Sequence, residues 1–142
     1  MDKRVVITGL GAITPIGKNV EENWNSIKEK KCGIDEITLF NTENFKTKLA
    51  AEVKEYNPLE HFEAKQAKRL DRYSQFAIIA AREAVKSSEI SKENTDFNRV
   101  GIFVSSGIGG LTTIQEQCRI DNEKGNKRVS PMFIPMSIAN MA

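Results

Sequence analysis

Cysteine and histidine are scarce in this sequence of 142 residues. The two cysteines, Cys32 and Cys118, lie far apart, and neither belongs to a CxxC pair or has a neighbouring histidine. His61 is the single histidine of the chain. A disulfide framework needs paired cysteines and a zinc site needs a cluster of Cys and His ligands, so neither is predicted. We expect a protein without a bound metal ion.

Long apolar runs are also missing. No stretch approaches the roughly 20 apolar residues that a membrane-spanning helix needs, and the first 11 residues lack the cleavage pattern of a secretory signal peptide. The net charge of +2 excludes a strong polycation. With 39% hydrophobic and 28% charged residues, the composition fits one globular unit. We therefore expect a cytoplasmic protein that binds neither nucleic acid nor membranes.

Short β-branched runs predict several strands. Val5 to Ile7 and Val100 to Val104 each end at a glycine-containing turn, which is typical of buried strands. Apolar groups from Ile34 to Phe40 and from Leu49 to Val53 predict two more short strands, separated by the polar stretch Asn41 to Lys48. We expect the first two runs to lie inside a sheet.

Helical patterns alternate with these runs. Asn19 and Glu22 have the spacing of a capping box, which predicts a helix start. Helical periodicity then extends from Glu60 to Ser88 and begins again at Leu111, where Cys118 shares an apolar face and is expected to be structural filler. Strands that alternate with helices favour an α/β fold, as a single domain or part of one.

The segment from Gly9 to Thr14 begins like the glycine fingerprint of dinucleotide-binding proteins. Thr14 stands where the third glycine belongs, and the following helix starts too late for that motif. A cofactor site is therefore poorly supported. The alternative is a turn between strand and loop that needs positive φ at its glycines.

Positive charge gathers in two clusters. Four basic residues at spacings of three and four predict one positive face of a helix: Lys65, Lys68, Arg69 and Arg72. Three more lie in a glycine-containing loop: Lys124, Lys127 and Arg128. Each cluster alone is more often a solvated face than a binding site. Repulsion between like charges on one helix face nevertheless invites an explanation, since Asp71 is the one acid between Lys65 and Arg72.

The turn from Ser105 to Gly110 places one bulky residue, Ile108, among small ones. It follows a predicted strand, and α/β sheets commonly bind ligands at the carboxyl ends of their strands. Ile108 could line such a site. It could equally be a plug for the core.

Four segments in order resemble the β-ketoacyl-[acyl carrier protein] synthase family, of the elongating or synthase II type. They are Arg4 to Gly17 (RVVITGLGAITPIG), the basic stretch Lys65 to Asp71, Val104 to Gly110 (VSSGIGG), and Ser130 to Met141 (SPMFIPMSIANM). The resemblance covers the whole chain. It implies a thiolase-like αβαβα fold, of which residues 1–142 would be an incomplete N-terminal domain, and a homodimer.

The resemblance also implies a reaction, in which the synthase lengthens an acyl chain by two carbons taken from malonyl-carrier protein. A cysteine nucleophile and two histidines serve that chemistry in the family, and they match positions beyond residue 142. We therefore assign no catalytic role to Cys32, Cys118 or His61. We expect the isolated chain to be inactive.

Binding residues can be carried over by the same resemblance. Carrier-protein docking is implied for Lys65, Lys68, Arg69, Lys127 and Arg128. The acyl tunnel is implied for Ile108, with Phe133 contributed across the dimer interface. The partner would be an acidic acyl carrier protein, and the phosphopantetheine arm of that carrier would be the one cofactor involved.

Three other functions remain open on the sequence alone. Polyketide synthase domains share these opening motifs, and so do catalytically dead partners that only dimerise or bind carrier protein. A small nucleotide-binding protein is the third. A nucleophilic cysteine further along the encoded protein would separate an enzyme from a dead partner, and a thermal shift with NAD or ATP would favour the third.

Overall fold

The computed structural model describes residues 4–139. In this range lie the helices and strands α1 (Val20–Lys28), β1 (Ile34–Glu36), β2 (Leu49–Ala51), α2 (Ala64–Ala67), α3 (Arg72–Ser88), α4 (Leu111–Lys124) and α5 (Phe133–Ser137). Short 3-10 turns lie at Pro58–Glu60, Phe97–Arg99 and Asn126–Arg128. One compact unit contains the residues up to Tyr56 and Ala80–Glu89, and the other contains Asn57–Ile79 and the residues from Ile90 onwards. Across residues 4–139, each helix is too short or too polar to cross a membrane.

Helix α1 of the first unit begins where its local sequence predicts. The Asn19 side chain accepts a hydrogen bond from the Glu22 backbone N–H at 2.8 Å, which confirms the predicted cap. A second contact comes from a distant residue, because the Glu83 carboxylate accepts from the backbone N–H groups of Val20 and Ala12, each at 2.9 Å. Glu83 thus ties the α1 start and the opening loop to α3.

The glycines of the opening loop permit close packing against α3. A Cβ on Gly11 would lie 1.8 Å from the Ala80 carbonyl oxygen, and one on Gly9 would lie 2.1 Å from the Ala84 carbonyl oxygen. Neither glycine is among the described residues with positive φ. The expectation that these glycines provide positive φ is therefore wrong. They are needed because a side chain would collide with the α3 backbone.

The two short strands predicted between residues 34 and 53 form a hairpin. β1 and β2 are antiparallel, with Ile34 opposite Ala51 and Glu36 opposite Leu49. The connection is residues 37–48, so it includes the predicted polar stretch 41–48 and also residues 37–40, which were predicted to continue the first strand. Beside the hairpin, Lys54 Nζ donates to Asp35 Oδ2 at 2.6 Å, and this hydrogen bond lowers the pKa of the Asp35 carboxyl.

Buried polar residues outnumber buried apolar ones in the second unit. Its buried apolar side chains are Phe62 and Ile79, and its buried polar ones are Asp71, Ser74, Gln75, Thr113 and Ser137. No buried side-chain nitrogen or oxygen within residues 4–139 lacks a hydrogen-bond partner. Polar contacts therefore position the elements of this unit.

The continuous helix predicted over residues 60–88 is wrong, because a turn separates α2 from α3. The Gln75 side-chain amide donates to the carbonyl oxygens of Ala67 and Leu70 at 3.1 and 3.0 Å, which satisfies groups that a longer α2 would have used. Asp71 then precedes α3 with its carboxylate on a first-turn backbone N–H. The break between α2 and α3 is stabilised by these side-chain hydrogen bonds, which cannot be predicted from helical periodicity.

The strands predicted at residues 5–7 and 100–104 are not formed. β1 and β2 are the paired strands within residues 4–139, apart from an isolated bridge between Thr14 and Gly17. Val5 is 92% exposed and Phe103 is 98% exposed. A strand needs a neighbour for its backbone groups and cover for its apolar face, and the described residues supply neither to these runs.

Candidate functional site

The first basic cluster lies on α2 and on the turn that follows it. Lys65 is on α2, Lys68 follows its last residue and Arg69 lies in the turn before α3. All three side chains are exposed. The Arg69 backbone N–H donates to the Gln66 carbonyl at 2.9 Å, and the Gln75 side chain holds the adjoining carbonyls. The three charges therefore stand on α2 and the following turn, whose backbone groups are held by hydrogen bonds.

Arg72 does not continue this cluster, so the predicted face of four basic residues on one helix is wrong. It is the first residue of α3 and is only half-exposed. Its guanidinium carbon lies 5.2 Å from the centroid of the Phe76 ring, at cation–π distance. The turn at residues 68–71 separates Arg72 from the face that Lys65 occupies.

The second basic cluster follows α4. Gly125 has φ +80° and ends the helix, after which Lys127 and Arg128 lie on a 3-10 turn. The Ser130 backbone N–H donates to Gln117 Oε1 at 2.7 Å, which holds the end of this loop against α4. A cavity of about 580 Å³ is lined by Ile120, Lys124 and Arg128, so aliphatic surface adjoins the positive charge.

Within residues 4–139, the five basic residues predicted to dock a carrier protein form no ion pair. Within the described range, salt bridges join Lys54 to Asp35 and Arg119 to Glu116 and Glu123. None engages the exposed basic residues Lys65, Lys68, Arg69, Lys127 or Arg128. Their positive charge is thus not neutralised by neighbouring acids of residues 4–139.

The Ile108 turn packs against the end of α5 through its backbone. Gly109 has φ +86°, and its N–H is held by Ser106 Oγ at 3.0 Å. The Gly110 N–H donates to the Ser137 carbonyl oxygen at 2.8 Å. Ile108 itself is 69% exposed, so it does not plug the core of the described residues.

Phe133 is the half-buried first residue of α5. It lines a cavity of about 310 Å³ together with Gln117, Val129 and Cys118. The structure thus brings the turn of Ile108 to the helix that carries Phe133, through the Gly110 contact. Cys118 is exposed at this cavity, and its assignment as buried filler is wrong. In the stretch 4–139, no group of three or more His, Cys, Asp or Glu residues is placed to hold a metal ion.

Sequence reasoning missed a polar junction beside these residues. The buried Asp71 carboxylate accepts from the backbone N–H of Tyr73 at 3.3 Å, and from the hydroxyl and backbone N–H of Thr113 at 2.6 and 3.1 Å. Aspartate is a common residue immediately before a helix. The presence of Asp71 could therefore have predicted that a helix starts at Arg72. No local sequence pattern predicts the contact between Asp71 and Thr113.

Arg119 forms ion pairs with two acidic residues of α4. Its guanidinium donates to Glu116 and Glu123, with the closest contact to each at 2.7 Å. The hydrogen bond from Arg119 lowers the pKa of the Glu116 carboxyl, and the contacts with both acids raise the pKa of Arg119. Because these side chains are about half-exposed, the cluster contributes little to stability.

Known proteins match the chain over nearly its full length. The model for the family "Beta-ketoacyl synthase, N-terminal domain" matches residues 2–142. The 3-oxoacyl-[acyl-carrier-protein] synthase 2 of Staphylococcus aureus strain N315 is 44% identical over 141 residues, which are 99% of this chain and 34% of that protein. The chain therefore spans about a third of the length of the curated relatives it matches.

Solved structures agree with the sequence matches. One is a chain of the AntDE:AntF complex, described as a type II PKS acyl-carrier protein with its ketosynthase bound to the hexaketide. It has a TM-score of 0.76 at 27% identity, over 97% of this chain and 37% of its own. A β-ketoacyl synthase from Burkholderia phymatum has a TM-score of 0.76 at 21% identity, over 99% of this chain and 35% of its own, which supports the fold alone.

The predicted fold class is confirmed by these structural matches, because the chain has the N-terminal part of the thiolase-like fold that ketosynthases share. The family model extends over residues 2–142, which include all four segments of the predicted resemblance. The chain therefore belongs to the β-ketoacyl synthase family and corresponds to its N-terminal domain.

Proposed function

We propose that the protein containing this chain elongates fatty acids by decarboxylative condensation. Malonyl-carrier protein would lose carbon dioxide, and the resulting two-carbon enolate would attack an acyl thioester held by the enzyme. The relatives at 44% identity are named 3-oxoacyl-[acyl-carrier-protein] synthase 2, which supports this reaction. In the family, the nucleophilic cysteine and the two histidines correspond to positions after residue 142. These three residues would belong to the rest of the proposed enzyme.

The observation that carries this proposal is the set of five exposed basic side chains that have no ion-pair partner among residues 4–139. Lys65, Lys68 and Arg69 lie on α2 and the turn after it, and Lys127 and Arg128 lie on another turn of the same compact unit. A positive surface of this kind complements an acidic carrier protein and speeds its association. One of the similar structures is a ketosynthase bound to an acyl-carrier protein, which supports this choice of partner.

Ile108 and Phe133 would line the acyl-binding site. Ile108 is a bulky side chain on a turn that is pinned to α5, and Phe133 begins that helix at the edge of a cavity. An alkyl chain prefers such apolar surroundings because its burial releases water. In the proposed homodimer, Phe133 reaches this site from the partner subunit.

The proposed reaction needs no metal ion and no cofactor of the enzyme's own. The phosphopantetheine arm of the carrier protein holds malonyl as a thioester, which stabilises the enolate that forms when carbon dioxide leaves. We place the enzyme in the cytoplasm, where its carrier protein would be found. The isolated chain of residues 1–142 would not catalyse the reaction.

A charge-reversal experiment tests the docking role. In the full-length synthase, changing Lys68 and Arg69 together to Glu should weaken carrier-protein binding at least about tenfold and reduce its salt dependence, because two positive charges at the interface become negative. Turnover of a small carrier-free thioester should change little. Surface plasmon resonance at several salt concentrations and steady-state kinetics would measure both effects.

The matched control is the double change of Lys46 and Lys48 to Glu. Both lysines are exposed in the hairpin connection, and the change in net charge is the same. Carrier binding by the control should stay within about twofold of the unaltered enzyme, apart from the weak effect of overall charge. Equal losses for both double variants would reject a local docking surface, and equal losses with both substrates would indicate a structural role.

A polyketide ketosynthase is the second candidate, because one of the similar structures holds a hexaketide. The two reactions differ in how many condensations occur before the β-keto group is reduced. With one acyl primer and malonyl-carrier protein but no reductase, a fatty-acid synthase should release a product two carbons longer. Mass spectra dominated by products of several successive condensations would favour the polyketide function instead.

A further inference from the structure

We propose that Asp71 is a positioning residue that fixes the Ile108 turn relative to the docking turn of Lys68 and Arg69. The inference rests on the proposed function for the roles of those two turns, while the contacts of Asp71 stand independently of it. It adds a residue that touches neither the carrier protein nor the acyl chain in the proposed scheme. Asp71 would couple the two by holding both backbones.

The Asp71 carboxylate caps two helices at once. Asp71 is only 8% exposed. Its Oδ1 accepts from the Tyr73 N–H in the first turn of α3, and its Oδ2 accepts from both the hydroxyl and the N–H of Thr113 in the first turn of α4. Backbone N–H groups in a first helical turn have no partner within their own helix. One side chain therefore satisfies donors at the start of two helices.

Helix α4 depends on this contact because it has no side-chain cap of its own. The residue before α4 is Gly110, which has no side chain to offer. A Cβ at Gly110 would lie 3.0 Å from Asp71 Oδ2 and 2.3 Å from the Met136 carbonyl oxygen. The absence of a side chain at position 110 therefore leaves room for the carboxylate that replaces a local cap.

The same residue lies next to both proposed binding elements. Asp71 is two residues after Arg69, and the intervening Leu70 has its carbonyl held by the Gln75 side chain at 3.0 Å. On the other side, Gly110 is two residues after Ile108, and its N–H is bound to the Ser137 carbonyl. One buried carboxylate thus joins the starts of α3 and α4, the two helices that directly follow the docking turn and the Ile108 turn.

The variant Asp71→Asn in the full-length synthase tests this role. Asn has nearly the same size but no negative charge. Its NH₂ group is a donor, so it would face the donors of either Tyr73 or Thr113, where the carboxylate of Asp71 accepts hydrogen bonds. Hydrogen exchange by mass spectrometry should become at least about tenfold faster in the peptide that contains residues 109–113, because a charge-assisted cap is lost. Peptides from the hairpin at residues 34–54 should keep their rates.

Two variants of Thr113 serve as a matched pair. Thr113→Val removes the hydroxyl donor and keeps the shape, so it should reproduce part of the Asp71→Asn effect on residues 109–113. Thr113→Ser keeps the hydroxyl and should remain close to the unaltered enzyme. This pair decides the question even if Asp71→Asn fails to fold. The proposal is overturned if Thr113→Val and Thr113→Ser have the same hydrogen-exchange rate in the peptide that contains residues 109–113.

Kinetics separate positioning from simple destabilisation. We expect Asp71→Asn and Thr113→Val to change the ratio of kcat/KM for long and short acyl primers by at least about fivefold, while the KM for a carrier-free thioester changes little. A uniform loss for all primers that follows the Tm would overturn the proposal. A second result would also overturn it. This is a ratio of kcat/KM for long and short primers that changes in Ile108→Phe but stays the same in Asp71→Asn and Thr113→Val.

The acyl role of Ile108 can fail without the positioning role failing. If Ile108→Phe leaves the primer ratio unchanged, the acyl site is assigned to the wrong residue. Faster exchange confined to residues 109–113 in Thr113→Val, but not in Thr113→Ser, still supports Asp71 as the residue that fixes this turn. Unaltered exchange in Thr113→Val overturns it.

Discussion

Ile108 is the single bulky side chain in a turn of small residues, and most of its surface is exposed in the described structure. Each additional methylene of a substrate contributes about 0.8 kcal/mol when it is buried. In the full-length synthase, Ile108→Phe should therefore exclude long acyl primers by steric overlap and spare short ones. Rates measured with a series of primer lengths would show a steep fall above the excluded length.

The control for this change is Ile108→Leu, which conserves volume and should leave the length profile nearly unaltered. Thermal unfolding would be followed for both variants. If Ile108 belongs to the core of the full-length enzyme, the larger ring should cost about 1–3 kcal/mol and lower the rates with all primers in parallel. That pattern would remove Ile108 from the acyl site.

At the scale of single residues, sequence reasoning was most successful where chemistry is visible in residue type. Lys65, Lys68 and Arg69 are exposed, as a docking role requires, although their roles stay predictions. The contact between Asp71 and Thr113 was not predictable, because 42 residues separate the partners and neither belongs to a motif that signals it. A buried contact of this kind depends on how the chain is folded, which no local pattern contains.

Among the elements, those set by neighbouring residues were predicted best. The start of α1 and the β1–β2 hairpin both follow from residues close in sequence. The strands at residues 5–7 and 100–104 were not formed, because a strand depends on its partners. The chain covers 34% of the length of the relative from Staphylococcus aureus strain N315.

Gly11 is where the opening loop depends most on α3. Gly11→Ala should lower the free energy of unfolding by at least about 1–3 kcal/mol, since the added carbon would overlap a backbone oxygen that cannot rotate away. Chemical denaturation of the full-length synthase would measure the loss. Gly107→Ala is the matched control, because a Cβ there meets nothing within 4 Å, and it should have little effect. Equal losses for the two variants would contradict close packing of Gly11.

The ion-pair cluster of α4 makes one prediction about pH. The Arg119 hydrogen bond lowers the pKa of Glu116 from an ordinary value of 4.5. A lowered pKa means that the contribution to stability is present above about pH 4.5 and is lost as the pH falls through the folded value. Arg119→Gln should return the Glu116 pKa toward 4.5, as measured by NMR of labelled glutamate carboxyls.

Glu93 is the internal control for that titration. Its pKa is also lowered, but by a hydrogen bond from the Ser91 side chain, so Arg119→Gln should leave it unchanged. A shift of both groups would point to a general change in charge or conformation. An unchanged Glu116 would show that Arg119 is not its main partner in solution.

For the molecule as a whole, exposed apolar surface is the dominant feature. Val5, Ile102 and Phe103 are almost fully exposed, and such surface favours association. A purified chain of residues 1–142 should therefore self-associate, and Phe103→Glu should raise its monomer fraction in analytical ultracentrifugation. In the full-length synthase, the same change should lower the yield of folded enzyme if residue 103 is covered there.

Leu59→Glu provides the comparison for self-association. Leu59 is exposed but lies outside the two apolar runs, so the change should leave the monomer fraction nearly as it was. A monodisperse monomer with a sharp unfolding transition in the unaltered 142-residue chain would contradict the prediction. Measurable condensation by that chain would contradict the prediction that it is inactive in isolation.

The division of the chain into two units also affects the order in which the chain folds during its synthesis on the ribosome. The first unit contains the residues up to Tyr56 but also Ala80–Glu89, so it cannot close until the second half of α3 has emerged. Until then, Gly9, Gly11 and the α1 start lack the helix and the Glu83 carboxylate that hold them. The nascent chain therefore presents residues 5–7 while the opening loop still lacks its α3 partner, at a stage when a chaperone would find them.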